Sequence, residues 1–276
     1  MVAHVHAPPR TPAALESSPA RRPARRRSLA RPSTHAVVAV VAPAILIGLL
    51  AMAWQWVATT KVTVLPTLGA VAADFAGRPE FYWGQLQYTL TTALIGLVIG
   101  IAVALILAIL IVHIPILHAA IMPIAVVVHA TPIVAISPAL VVAFGFGTTP
   151  QLIVVALMVF FPMLINAITG LKAVPTDMLE VFQSMSATRA DVFFRLRLPA
   201  SLSYLFAAAK TCVTLAMIGA VVSEFHGATR GLGATIVQAM TYLDLPQMWA
   251  AIAMSALVSL VLLGLVSLGQ KLIVRW

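Results

Sequence analysis

Apolar positions gather along the chain into six long runs, at 36–58, 89–112, 117–144, 152–171, 205–222 and 248–268. A helix rises 1.5 Å per residue and the hydrocarbon core of a bilayer is about 30 Å thick, so runs near twenty residues predict membrane-crossing helices. One interval between runs is more than a turn. In "EVFQSMSATRADVFFRLRLP", residues 180–199, the charges of Glu180, Arg189, Asp191, Arg195 and Arg197 alternate with apolar side chains at helical spacing. The pattern predicts two short amphipathic helices. The first starts after Pro175 with Asp177 and Glu180 in capping-box spacing, the second with Thr188 and Asp191 after a break at Ser186 and Ala187, and Pro199 is expected to stop it. Val181, Phe182 and Met185 share a side of the first helix, with Glu180 at the margin. Val192, Phe193 and Leu196 oppose Arg189, Arg195 and Arg197 on the second.

Composition assigns the class. The chain is 61% hydrophobic and 9% charged, with a mean hydropathy of +1.03, which describes an all-α, multi-spanning membrane protein. Its single cysteine, Cys212, lies inside an apolar run and reads as a small core hydrophobe. The net charge of +9 changes this picture only through its placement. Seven of the seventeen basic residues (Arg10, Arg21, Arg22, Arg25, Arg26, Arg27 and Arg31) fall in a Pro-, Ala- and Ser-rich tail at 1–35 that has no means of building a core, ahead of a membrane domain at 36–276. The tail enters a full-length span rather than a short signal core, so it reads as a retained cytoplasmic segment. It serves as a topology determinant or as a site for anionic lipid, and the charge is not a nucleic-acid footprint.

With the N-terminus inside, the inner segments carry thirteen basic residues and the outer ones three, Lys61, Arg78 and Arg230. This bias predicts both termini in the cytoplasm and the 175–199 segment as a cytoplasmic loop. Gly96, Gly100 and Ala104 repeat every four residues and predict close approach of another helix. Trp54, Trp56, Phe81, Tyr82 and Trp83 border outer ends, as interfacial aromatics do, and Lys210 is placed to snorkel. In the third run, "HATPIVAISPALVVAFGFG" puts Pro132 and Pro138 six residues apart, which predicts a kinked or broken span. Irregular backbone at that depth needs either a watery cavity or burial by protein. The translocation-path reading takes His129, Pro132 and Pro138, with Glu224 at the outer end of the fifth run, toward an internal path; simple helix packing is the other reading.

The 180–199 stretch resembles the EAA loop of binding-protein-dependent ABC importer permeases. That pattern is Glu-Ala-Ala, three residues, Gly, nine residues, Ile-x-Leu-Pro. Glu180, Leu196, Leu198 and Pro199 fall in register, while Val181 and Phe182 replace the alanines and Ser186 the glycine. "HATPIVAISPALVVAFGFG", "FFPMLINAITGLKAV" and "SEFHGATRGLGATI" are similar to the corresponding stretches of permeases for nitrate, sulfonates, taurine and thiamine-type pyrimidine precursors. The resemblance covers about residues 60–270. It implies a six-helix type I importer permease in the bacterial inner membrane, usually a homodimer, with cytoplasmic ATPase subunits and an extracytoplasmic substrate-binding protein as partners. It also implies that residues 175–199 are the coupling loop, with Glu180, Val181, Phe182, Ser186, Leu196, Leu198 and Pro199 at the ATPase.

Three other readings stand beside this one. A secondary transporter or channel would need membrane charge to couple or select ions, and only Lys210, His129 and Glu224 qualify. An interfacial amphipathic hairpin is the alternative for the loop. Enzymatic readings lack a motif: H-E-x-x-H, G-x-S-x-G and G-x-x-x-x-G-K-[ST] are all absent, "GATRGLG" has no following lysine, and Ser137 with His129 reads as two helix polar groups. Neither a cofactor nor a metal is expected.

Overall fold

The computed structural model describes residues 34–60 and 65–274. The arginines of the basic tail, Lys61 and Arg275 lie outside the described residues. The chain separates into two units, 1–51 and 52–276. In the first, the described residues are the N-terminal part of α1 (Thr34–Thr60), which carries Pro43 inside the helix.

The second unit is built on four long helices: α3 (Pro79–His113), α6 (Thr148–Lys172), α9 (Leu198–Glu224) and α11 (Leu245–Ile273). With α1 and a broken pair, α4 (Pro115–Ala130) and α5 (Ile133–Phe144), they supply the six predicted spans. α3 is longer than its apolar run. Polar residues extend its N-terminus, where Pro79 occupies the first turn and loses no intrahelical bond by lacking an N–H.

The small-residue stripe acts as its spacing predicts. Gly96, Gly100 and Ala104 are buried against α6, and a Cβ on Gly96 would lie 2.5 Å from the Val155 Cβ, one on Gly100 2.7 Å from the Ala156 carbonyl oxygen. The main core runs along this contact and on to α9, through Ala93, Leu97, Val155, Val159, Leu164, Cys212 and Ala216.

Two short apolar helices were not foreseen, α2 (Leu68–Gly77) and α10 (Leu232–Thr241). α2 is capped by Thr67, whose hydroxyl accepts from Ala70 N at 3.2 Å. Asp74 on its last turns accepts from both Arg78 and Tyr82, and Asp74 beside it raises the Arg78 pKa further above its ordinary value. Arg78 also reaches Asp244 at 3.6 Å, and Asp244 caps α11 by accepting from Gln247 N at 3.3 Å. Tyr82 is therefore a fully buried core residue rather than an interfacial aromatic. Its hydroxyl has a carboxylate partner, which frees the ring to pack with Leu86, Leu232, Ala250 and Ala251. Trp54 does sit at a helix end, donating to the Pro66 carbonyl at 3.0 Å and meeting Trp249 edge-on at 4.4 Å.

Candidate functional site

Between α6 and α9 the chain forms the helix–turn–helix expected from its pattern, α7 (Thr176–Ser184) and α8 (Arg189–Val192). The turn at Ser186 is left-handed, with φ 56°. Ser186 N donates to the Gln183 carbonyl at 2.9 Å and Ala187 N to the Phe182 carbonyl at 3.0 Å, the paired bonds of a Schellman motif with serine where glycine is favoured. Thr188 then opens α8 with a complete capping box. Its hydroxyl accepts from Asp191 N at 3.2 Å, and Asp191 accepts from Thr188 N at 3.2 Å.

Two expectations for this segment are corrected. The α7 start is not a capping box, because the helix begins at Thr176, so Asp177 falls inside its first turn and Glu180 too deep to reach an unpaired N–H. Glu180 is exposed and makes no hydrogen bond or ion pair among the described residues. Nor does Pro199 stop the second helix. α8 passes through a π-helical turn at Phe193–Arg197 and continues as α9, with Pro199 in the first turn of that helix. The wider turn, closed by Leu198 N to the Phe193 carbonyl, lies where a proline ring would otherwise crowd the Arg195 carbonyl.

Phe193 ties the segment to the core, packing near His113 at the end of α3 with ring centroids 5.8 Å apart. No residue of α7 is buried. Met178, Val181 and Met185 stand on it 55%, 57% and 73% exposed, and Phe194 follows at 64%. Phe182 is half-buried, as are Leu196, Leu198 and Pro199. The result is a rigidly framed, apolar projection with a free carboxylate on its margin.

The third run breaks as its prolines predict. α4 and α5 meet at an angle of 97°. Thr131 bridges the break from the α4 side, its N–H and its hydroxyl both donating to the Val127 carbonyl, at 3.1 and 2.8 Å. Pro132 caps α5 and Pro138 lies within it, both exposed. His129 is exposed and stacks on Phe161 of α6 with centroids 4.2 Å apart, whereas Ser137 is buried on the far side of the break.

Glu224, at the end of α9, is 1% exposed, and its Oε1 has no hydrogen-bond partner among the described residues. Its Oε2 accepts from Thr89 Oγ1 at 3.0 Å and from Gly233 N at 2.7 Å, while Leu232 N donates to Thr89 Oγ1 at 2.8 Å and Gly231 N to Gln85 Oε1 at 2.6 Å. Residues from α3 and α9 thus satisfy the free N–H groups that open α10. Gly231, at φ 109°, lets the backbone come this close.

Five helices are long and apolar enough to cross a membrane, six if the broken pair α4–α5 is one span, and a capped helix–turn–helix lies between α6 and α9. Residues 96–276 match the family model for binding-protein-dependent transport system inner membrane components, and the chain belongs to that family. It is 30% identical over 228 residues to a probable ABC transporter permease protein of Haemophilus influenzae, covering 82% of this chain and 93% of the other. It is 34% identical over 215 residues to the riboflavin transport system permease protein RibX of Chloroflexus aurantiacus, covering 77% and 80%. With the formylaminopyrimidine transport permease protein ThiX of Halalkalibacterium halodurans it shares 30% over 197 residues, covering 71% and 79%. Among solved structures, an inward-facing MetNI methionine ABC transporter has a chain of the same fold, with a TM-score of 0.56, 20% identity, and coverage of 70% of this chain and 94% of that one.

Proposed function

We propose that the chain is the permease subunit of an ATP-driven importer, that residues 175–199 are its coupling loop, and that an ATPase in the cytoplasm drives alternating access through this loop. The observation that carries the reading is the α7–α8 projection. Its apolar ridge of Met178, Val181 and Met185 is exposed although a Schellman turn and a capping box hold it in one shape, which is the state of a surface prepared for a partner's groove. Glu180 on the margin supplies a charge for a basic group of that partner. Ser186 sets the angle between the helices, while Leu196, Leu198 and Pro199 carry the movement through the π turn into α9.

In this reading a second copy of the chain completes the path, and the exposed apolar end of α5, with Val142 at 88% and Phe146 at 80% exposure, supports a buried position there. His129, Pro132 and Pro138 lie on the broken span beside that face and, with Glu224 at the end of α9, are the path residues. Closure of the ATPase pair moves both coupling loops and opens the path toward a loaded substrate-binding protein. The termini lie in the cytoplasm, and the basic residues of the tail at 1–35, ahead of the membrane domain at 36–276, act as a topology determinant or as a site for anionic lipid. The solute belongs to the nitrate, sulfonate, taurine or pyrimidine-precursor class, in line with relatives named for riboflavin and formylaminopyrimidine transport.

Glu180→Lys tests the coupling reading. The variant is expected to insert and dimerise as the parent does, yet to lose co-purification with the ATPase and to abolish uptake. Full ATP-driven uptake by Glu180→Lys would remove the loop from the coupling role.

A further inference from the structure

A polar cavity of about 290 Å³ opens between the N-terminal ends of α3 and α6 and the α9–α10 loop. Gln87, Tyr88, Thr91 and Thr92 line it from α3, Thr148 from the start of α6, and Arg230 from the loop. Its groups are suited to a ligand that accepts hydrogen bonds. Thr92 is 3% exposed, and neither its hydroxyl nor that of Thr148 hydrogen-bonds to a protein group among the described residues. Arg230 has no ion-pair partner there either. No acidic side chain lines the cavity, and the nearby Glu224 is turned inward onto Thr89 and Gly233.

The backbone beside the exposed Arg230 is held in place. The residues immediately after Arg230 are pinned to α3, Gly231 N by Gln85 and Leu232 N by Thr89. Tyr88 is oriented by donating to Gln151 Oε1 at 3.2 Å, and Gln151 is itself buried. Thr148 begins a 25-residue helix whose N-cap, Gly147, offers no side-chain acceptor, so the unpaired N–H groups of that turn add positive potential.

We propose that this cavity is a subsite for the anionic head of the carried solute, a carboxylate, sulfonate or phosphate group held by Arg230 with the Thr92 and Thr148 hydroxyls. The volume suits a head group or a very small solute rather than a large one. Naming the anion as cargo rests on the importer reading, but the presence of the site does not. The alternative occupant is an acidic side chain of a docked protein; the buried Thr92, whose hydroxyl has no protein partner among the described residues, favours a small anion that reaches down between α3 and α6.

The test needs neither an ATPase nor transport. In full-length permease carrying Cys212→Ala and Thr91→Cys, reconstituted in nanodiscs, the cavity thiol is labelled with 2-sulfonatoethyl or 2-(trimethylammonium)ethyl methanethiosulfonate. After normalisation to each reagent's rate with free cysteine, the sulfonate reagent is expected to react roughly tenfold faster. Arg230→Gln should bring the ratio near one and Arg230→Lys should keep most of it. Ethanesulfonate should slow labelling in a saturable way, and ethyltrimethylammonium should not. A ratio at or below one, a ratio indifferent to Arg230→Gln, or no protection by ethanesulfonate overturns the proposal. Protection by the unliganded substrate-binding protein but not by ethanesulfonate also overturns it, because Arg230 is then a docking contact. If uptake proves independent of any ATPase while these labelling results hold, the importer reading fails and the anion site stands.

Discussion

Replacing Glu224 should loosen the α10 end of the membrane domain to a degree that depends on what acceptor remains. In Glu224→Ala, Gly233 N loses its acceptor in a buried position and the neighbouring Ala234 N loses a weaker one, whereas Thr89 retains Leu232 N as a donor and the Gln85 carbonyl at 3.3 Å as an acceptor. One orphaned buried N–H costs about 1–3 kcal/mol, and the space left by the side chain adds to it, for about 2–4 kcal/mol in all. Glu224→Gln keeps a carbonyl oxygen for Gly233 N and should cost under about 1 kcal/mol. Purified protein is heated and the monodisperse fraction read by fluorescence-detected size exclusion, with the temperature of half-loss as the measure, since membrane proteins of this size unfold irreversibly. The expected order is parent, then Gln close behind, then Ala well below. An alanine variant as stable as the parent, or a glutamine variant as weak as the alanine one, would refute the account of how α10 is held.

Ser186→Gly should relieve a left-handed non-glycine residue worth about 1 kcal/mol and leave uptake equal or improved; reduced uptake at equal expression would show that the serine side chain itself is used. Gly96→Val should lower the temperature of half-loss through overpacking worth about 1–3 kcal/mol, while Gly264→Val, where a Cβ meets nothing within 4 Å, should not; equal behaviour would contradict the close α3–α6 contact. For sidedness, in a Cys212→Ala background Thr188→Cys should react with membrane-permeant reagents only and Thr229→Cys from outside the cell. External labelling of Thr188→Cys would reverse the topology.

The spans were legible because a bilayer imposes one length and one polarity on whatever crosses it, and the proline pair in the third run announced its break. The Thr188–Asp191 capping box was legible because that signal is local. Elsewhere the sequence misled for nameable reasons. Glu180 stands three residues after Asp177, but the box depends on which residue is the N-cap, and Pro175 takes that place. Pro199 reads as a stop unless the preceding turn widens, a choice invisible in residue types. Tyr82 looked interfacial beside Phe81 and Trp83 until Asp74, eight residues earlier on an unforeseen helix, supplied its partner. The bonds of Glu224 to Thr89, distant in the chain, and to backbone N–H groups were invisible because such partners carry no sequence signature. The polar cavity has a trace in the sequence: Gly84, Gln87, Tyr88, Thr91 and Thr92 recur at three- and four-residue spacing, one face of the N-terminal extension of α3.

Site-directed cross-linking addresses the coupling claim most directly. Met185→Cys in the Cys212→Ala background is paired with single cysteines placed along the surface cleft of the co-expressed P-loop ATPase, and the membranes are oxidised with and without ATP. The account predicts a permease–ATPase disulfide from Met185→Cys at one cleft position, with a yield that changes on ATP binding, and none from a cysteine at Thr229 in the loop beyond the far end of α9. Absence of any such cross-link, together with labelling of Met185→Cys by lipid-soluble but not aqueous reagents, would instead place α7 on the bilayer surface and contradict the account.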